Sequence, residues 1–260
     1  MSRSDCSLLD QAFVLRFLFY PRRDFPPGRT DDRDVFFHVA DGIRLGGRLH
    51  IAHKDSPIVL LFHGNGEIAS DYDTIAPLYT RMGVSLLVVD YRGYGKSDET
   101  PTASALLDDA MATFHNLHEV LSDRGLDDSR LFVMGRSLGS AAALEIAAHV
   151  GDKISGLIIE SGFASARGLI ERLGGPLPMQ LQGGTDGFDN VRKIQQVNVP
   201  TLIIHGEEDQ IIPVDNGRTL YESSGAEHKR LVIISDAGHN DLLYWGQDIY
   251  FSAIREFILG

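Results

Sequence analysis

Hydrophobic and polar positions along this chain follow two alternating rhythms. Short apolar runs stand at 58–62 (IVLLF), 85–89 (SLLVV), 131–134 (LFVM), 156–160 (GLIIE), 201–205 (TLIIH) and 231–234 (LVII). They are too continuous for half-exposed strands and suit parallel strands buried on both faces. Between them lie stretches with helical spacing. These are 71–82, a long one from 103 carrying Leu107, Met111, Phe114, Leu117 and Leu121, the Ala-rich segment after Gly139, 215–223, and 242–258. Nearer the N-terminus, 34–40 and 43–51 predict two strands joined at the hairpin dipeptide Asp41-Gly42, with Ile43, Leu45, Leu49 and Ile51 on one face. Strands alternating with helices predict an α/β fold: a mostly parallel sheet of about eight strands with helices on both faces.

Two stretches break the rhythm. Residues 161–200 contain no predicted strand, and Gly174, Gly175, Pro176, Pro178, Gly183, Gly184 and Gly187 crowd their middle. This reads as a small glycine-rich cap insertion within a single domain spanning 1–260. Residues 12–20 (AFVLRFLFY) are apolar, but Asp10 and Arg16 interrupt the pattern and no small-residue cleavage site follows. The stretch is too short to span a bilayer and makes a poor signal peptide. It predicts a helix on the domain edge. The alternative is a peripheral membrane or dimer contact, with Arg22 and Arg23 facing lipid phosphates.

Composition narrows the function classes. With 36 Asp+Glu against 24 Lys+Arg, the formal net charge is -12, and no basic patch stands out, so nucleic acid is not an expected partner. A single cysteine, Cys6, excludes an intrachain disulfide framework and fits a cytoplasmic protein.

The chemistry concentrates at 131–148 (LFVMGRSLGSAAALEIAA), which reads as strand, tight turn and helix with Ser137 at the tip. A serine forced into a strained conformation needs neighbours without a Cβ two residues to either side, and Gly135 and Gly139 supply them. Serine is a weak nucleophile and needs a base, oriented in turn by an acid. In this arrangement the acid follows the serine in the chain and the histidine follows the acid. Asp209, in HGEED just past the 201–205 run, competes with Glu207 and Glu208. His239, in DAGHN just past the 231–234 run, competes with His63, which precedes Ser137 in a Gly-x-Gly turn and suits ordering that turn better. Asp90, at a strand end, reads as a brace for that turn, and Arg136 as its partner or that of Glu160. No His/Cys cluster has metal-ligand spacing, and the glycine turns are not G-x-G-x-x-G, so neither a metal nor a dinucleotide cofactor is expected.

The stretches LLFHGNGE (60–67), VVDYRGYGKSD (88–98), GRSLG (135–139), HGEEDQIIP (205–213) and GHND (238–241) resemble the α/β-hydrolase superfamily over nearly the whole chain. They look most like its small-capped serine hydrolases, which include depalmitoylating α/β-hydrolase-domain proteins and bacterial esterases. The resemblance implies Ser137 as nucleophile, His239 as base, Asp209 as orienting acid, and an oxyanion hole from the backbone N–H groups of Asn65 and Leu138. It implies cleavage of a small-molecule ester or thioester through an acyl-enzyme. Leu169, Leu173, Leu177, Met179 and Phe188 are the candidate acyl-chain contacts. The alternatives are a non-catalytic ligand- or partner-binding protein of the same fold, and a peptidase or carbon–carbon hydrolase using the same triad.

Overall fold

The structure is a computed structural model that describes residues 5–25, 31–175 and 186–260. Its strands are β1 (Asp34–Ala40), β2 (Ile43–His50), β3 (Ile58–Phe62), β4 (Ser85–Val89), β5 (Leu131–Arg136), β6 (Gly156–Glu160), β7 (Thr201–Gly206) and β8 (Lys229–Ile234). They form one sheet in the order β1-β2-β4-β3-β5-β6-β7-β8. The pairs β1/β2 and β2/β4 are antiparallel, and every later neighbouring pair is parallel. The helices are α1 (Ala12–Leu18), α2 (Ala76–Arg81), α3 (Ala103–Ser122), α4 (Gly139–Val150), α5 (Ala166–Arg172), α6 (Asn190–Ile194), α7 (Asp215–Ser223) and α8 (Leu242–Leu259).

Continuous apolar runs make central strands because successive side chains feed opposite faces. In β3, Ile58, Leu60 and Phe62 join the core covered by α3, α4 and α7, whereas Val59 and Leu61 join the core covered by α2 and α8. The strands β4, β5, β6 and β7 divide their side chains in the same way.

Several local expectations need correction. The 71–82 stretch is not one helix. A 3₁₀ turn, Ala69–Thr74, precedes α2, and Pro77 stands in the first turn of α2, where its missing N–H is tolerated but a helix running through it is not. In β2 the face opposite Leu45 and Leu49 is largely closed too. Arg48 and His50 are buried as well, because Arg48 Nη1 lies 2.8 Å from Asp34 Oδ1 and Nη2 lies 2.5 Å from Asp73 Oδ2. Ile51, past the strand end, is exposed. α1 stops at Leu18, burying Val14 and Leu18 while Phe13, Phe17 and Tyr20 face outward.

The 161–200 insertion also divides. α5 packs beside α1, and Asp186 accepts the backbone N–H of Ala166 at 2.9 Å, tying the two ends of the insertion together. From Phe188 onward the segment belongs to the main layer. Phe188, Ile194, Val197 and Val199 are buried, and α6 packs on α4 and α7. Leu177 and Met179 lie outside the described residues.

One buried charge pair fixes that layer. Lys193 on α6 has a fully buried side chain, and its Nζ is 2.6 Å from Glu145 Oε2 on α4. Removing one partner of such a pair strands the other. Lys193→Met is therefore expected to cost about 3–5 kcal/mol in urea unfolding, and Lys193→Met/Glu145→Gln to recover most of that. A single variant within about 1 kcal/mol of wild type contradicts the pairing.

Candidate active site

The carboxyl ends of β3, β5, β7 and β8 lie along one edge of the sheet, where open α/β folds place their sites. Phe62 pairs with Gly135, so the turn after β3 stands directly beside the end of β5. There Ser137 adopts φ 51°, a left-handed conformation that costs a serine on the order of 1–3 kcal/mol. Close packing holds it: a Cβ on Gly135 would run into the backbone of Gly139, and one on Gly139 into the Phe62 carbonyl. The Ser137 N–H donates to the Glu160 carbonyl at 2.8 Å, and Ser140 Oγ donates to the Ser137 carbonyl at 2.7 Å.

Two later loops bring their side chains to this serine. His239 Nε2 lies 2.9 Å from Ser137 Oγ, and His239 Nδ1 lies 2.6 Å from Asp209 Oδ2. An ionised carboxylate only accepts, so Nδ1 carries the proton and Nε2 is left to accept from the hydroxyl. Asp209 Oδ1 accepts the backbone N–H groups of Ile211 and Ile212 at 2.9 and 2.7 Å. The side chain of Asp209 is 0% exposed. Burial pushes its carboxyl up, but hydrogen bonds from His205 and His239, with the Ile212 N–H, outweigh burial and hold it well below the usual carboxylate range. Glu207 and Glu208, the rival carboxylates, are exposed.

His63 is fully buried behind the turn. Its Nδ1 bonds the Gly64 carbonyl at 2.8 Å, its own carbonyl accepts the Tyr91 hydroxyl, and its ring packs against Tyr91 and Tyr94. Asp90 Oδ1 accepts the Ala69 N–H at 2.8 Å and lies 3.4 Å from His63 Nε2, so it braces the segment following the turn. Tyr94 and Tyr20 carry no catalytic motif in the sequence, yet they hold this turn. The Asn65 side-chain oxygen accepts from the Tyr94 hydroxyl and from the Tyr20 N–H, each at 2.7 Å, which anchors the turn to the N-terminal segment.

A cavity of about 190 Å³ opens onto Ser137 and His239. Its wall includes Asn65, Leu138, Leu18, Leu169, Leu173 and Ile211. Among the described residues, no protein acceptor takes the backbone N–H of Asn65 or Leu138. Leu138 also begins the first turn of α4, where helical N–H groups are free. Of the candidate acyl-chain contacts, Leu169 and Leu173 line this cavity. Phe188 does not: it is fully buried and packs edge-on against Phe163 at 5.7 Å between ring centroids, in the core rather than the cavity. Leu18 and Ile211 line the cavity without having been singled out, since a helix-end leucine and a loop isoleucine carry no motif.

A sharp serine-bearing turn between a central parallel strand and a helix, with later loops reaching back to it, is the arrangement of the α/β-hydrolase class. The chain belongs to that family: residues 53–181 and 180–243 match the family model described as serine aminopeptidase, S33. It is 31% identical over 252 residues to an uncharacterized protein of Mycobacterium tuberculosis, covering 94% of this chain and 86% of that one. It is 30% identical over 210 residues to an uncharacterized membrane protein of Saccharomyces cerevisiae, covering 80% and 72%. Among solved structures, the esterase Pf2001 of Pyrococcus furiosus superposes with a TM-score of 0.72 at 20% identity, covering 91% of this chain and 97% of that chain. Among the described residues, no helix is long and apolar enough to cross a membrane.

Asp209 also links the site to acid stability. Because its folded-state pKa is depressed, its ionised form stabilises the fold above the unfolded value of about 3.9, and that contribution is lost as pH falls through this value toward the lower folded one. Asp209→Asn is therefore expected to flatten the loss of stability between about pH 5 and pH 2, read by urea unfolding at each pH. Parallel curves for the two proteins contradict the assignment of this stabilisation to Asp209.

Proposed function

We propose that this protein is a serine hydrolase that cleaves carboxylic esters or thioesters of short to medium acyl chains through an acyl-enzyme. The observation that carries the reading is the unbroken chain of contacts from Ser137 Oγ to His239 to Asp209, at 2.9 and 2.6 Å. In this scheme His239 Nε2 takes the hydroxyl proton as Ser137 attacks the carbonyl, and then delivers it to the leaving group. Asp209 holds the imidazole in the required tautomer and stabilises its protonated form. The free N–H groups of Asn65 and Leu138 take up the charge on the tetrahedral intermediate, each such donor lowering the barrier by roughly 3–4 kcal/mol. Water then repeats the sequence on the acyl-enzyme.

The acyl side follows from the cavity wall. Leu18, Leu169, Leu173 and Ile211 suit an alkyl chain, and about 190 Å³ is small beside the roughly 300–1,000 Å³ of clefts that hold drug-sized ligands. The family description names an aminopeptidase, which has to recognise a free α-ammonium. Among the described residues this cavity wall offers no carboxylate for one, which favours the ester or thioester reading.

Ser137→Ala is expected to lower kcat/KM for nitrophenyl butyrate by roughly 10⁴-fold or more, and Asp209→Asn by about 10⁴-fold. Across nitrophenyl esters and acyl-thioesters of increasing chain length, rates should peak at short or medium chains. A Ser137→Ala variant with undiminished turnover sinks the hydrolase reading, and a peak at long chains sinks the acyl-length reading.

A further inference from the structure

Arg136 stands immediately before Ser137, and its guanidinium reaches the turn after β3, the end of β6 and the His239 loop. Nε donates to Glu160 Oε1 at 2.9 Å, and Nη1 pairs with Glu67 Oε1. Nη2 donates to the His239 carbonyl and to Asn240 Oδ1, both at 3.0 Å. Each carboxylate is tied onward. Glu67 Oε2 accepts the Gly64 N–H at 2.8 Å and the Tyr72 hydroxyl at 2.7 Å. Glu160 Oε2 accepts the Tyr250 hydroxyl at 2.6 Å, while the Glu160 backbone carbonyl takes the Ser137 N–H. A Cβ on Gly64 would crowd Arg136 Nη1, so the guanidinium would have to shift to admit one.

We infer that Arg136 is a positioning residue for the acyl-transfer reaction, fixing the spacing between the Gly64–Asn65 turn and the imidazole of His239. The inference rests on the serine-hydrolase reading. A planar fork with five donors can bind both carboxylates and the His239 loop at once, whereas an ammonium is a point charge with no fixed directions. Nothing else among the described hydrogen bonds joins the Gly64 turn to the His239 loop through one side chain. Loss of the fork leaves the nucleophile, base and acid in place but frees the turn relative to the imidazole. A shift of about 1 Å of this kind costs on the order of 100-fold in rate. The effect belongs in kcat, because the apolar side chains proposed to hold the acyl chain, Leu18, Leu169, Leu173 and Ile211, have no hydrogen bond to this cluster, although Arg136, His239 and Asn240 also line that cavity.

The structure also supplies a direct test. A second cavity, about 370 Å³ and lined by Glu67, Tyr72, Arg136, Glu160, His239 and Tyr250, opens beside the guanidinium. In Arg136→Ala it gives an added guanidinium ion a route to the vacated position. The wild type, Arg136→Ala, Arg136→Lys and the double variant Arg136→Ala/Glu67→Gln would be assayed on nitrophenyl butyrate, with and without tens of millimolar guanidinium chloride. Sodium chloride and urea serve as controls. The double variant leaves the formal charge of the cluster unchanged and covers the case in which the single variant fails to fold.

In whichever of these alanine variants folds, kcat is expected to fall about 100-fold with KM within about threefold. Guanidinium, but not urea or sodium chloride, should restore it by about tenfold or more in Arg136→Ala and raise the Tm of that variant. Arg136→Lys should remain impaired by about tenfold. A folded alanine variant that keeps kcat within about threefold of wild type overturns the inference, as does a loss borne by KM alone. An Arg136→Ala loss that guanidinium leaves untouched at wild-type Tm overturns it as well. Failure of the underlying reading looks different: the wild type itself would neither turn over the ester nor react with a fluorophosphonate.

Discussion

A serine held at φ 51° is the constraint around which this molecule is arranged. The conformation is unfavourable for a residue with a Cβ, and it persists because β5 and α4 approach too closely to let it relax. That closeness requires glycine at both 135 and 139, and it needs a third strand, β3, whose last carbonyl fills the space where a side chain on Gly139 would sit. The strain therefore depends on the order of the sheet: β3 and β5 have to be neighbours, and their crossover helices have to cover both faces. What results is a hydroxyl lifted above the sheet edge, beside a helix start and a glycine turn where the N–H groups of Leu138 and Asn65 have no protein acceptor among the described residues.

Around this point the chain spends its buried charge. The Asp209 carboxylate would be costly in so closed a site, yet two backbone donors and two histidines satisfy it and keep it ionised. The Arg136 guanidinium is balanced by Glu67 and Glu160, and this balance holds despite a burial that by itself would lower its pKa. Away from the site, Arg48 with Asp34 and Asp73 closes the antiparallel end of the sheet. Lys193 with Glu145 closes the α4/α6 contact. In each case a charge lies where geometry has to be specified and not merely filled, which hydrophobic packing alone does poorly.

The parallel strands were legible because a strand buried on both faces leaves an apolar run that few other elements imitate. Ser137, Asp209 and His239 were legible because each sits in a short glycine-bearing loop at a strand end. Of the ionic partners, only Glu160 was, as one of the two read for Arg136. Arg48 and His50 occupy alternate positions on a strand, a pattern that normally marks a wet face, and only the approach of Asp73 from a distant turn makes that face dry. Glu67 looked like one more polar residue in a glycine turn, and its link to Arg136 spans a sequence separation that no local pattern encodes. Phe188 misled for the opposite reason. An aromatic in a glycine-rich insertion invites a substrate role, but the insertion rejoins the core at that residue, against Phe163.

The central claim is that the hydroxyl of Ser137 becomes covalently acylated. Intact-mass and peptide-mapping mass spectrometry after treatment with a fluorophosphonate tests it most directly. One adduct per chain is expected, carried by the peptide containing GRSLG and located on Ser137, formed in step with loss of esterase activity. An active enzyme that acquires no adduct there, or that carries it on another side chain while activity disappears, would contradict it.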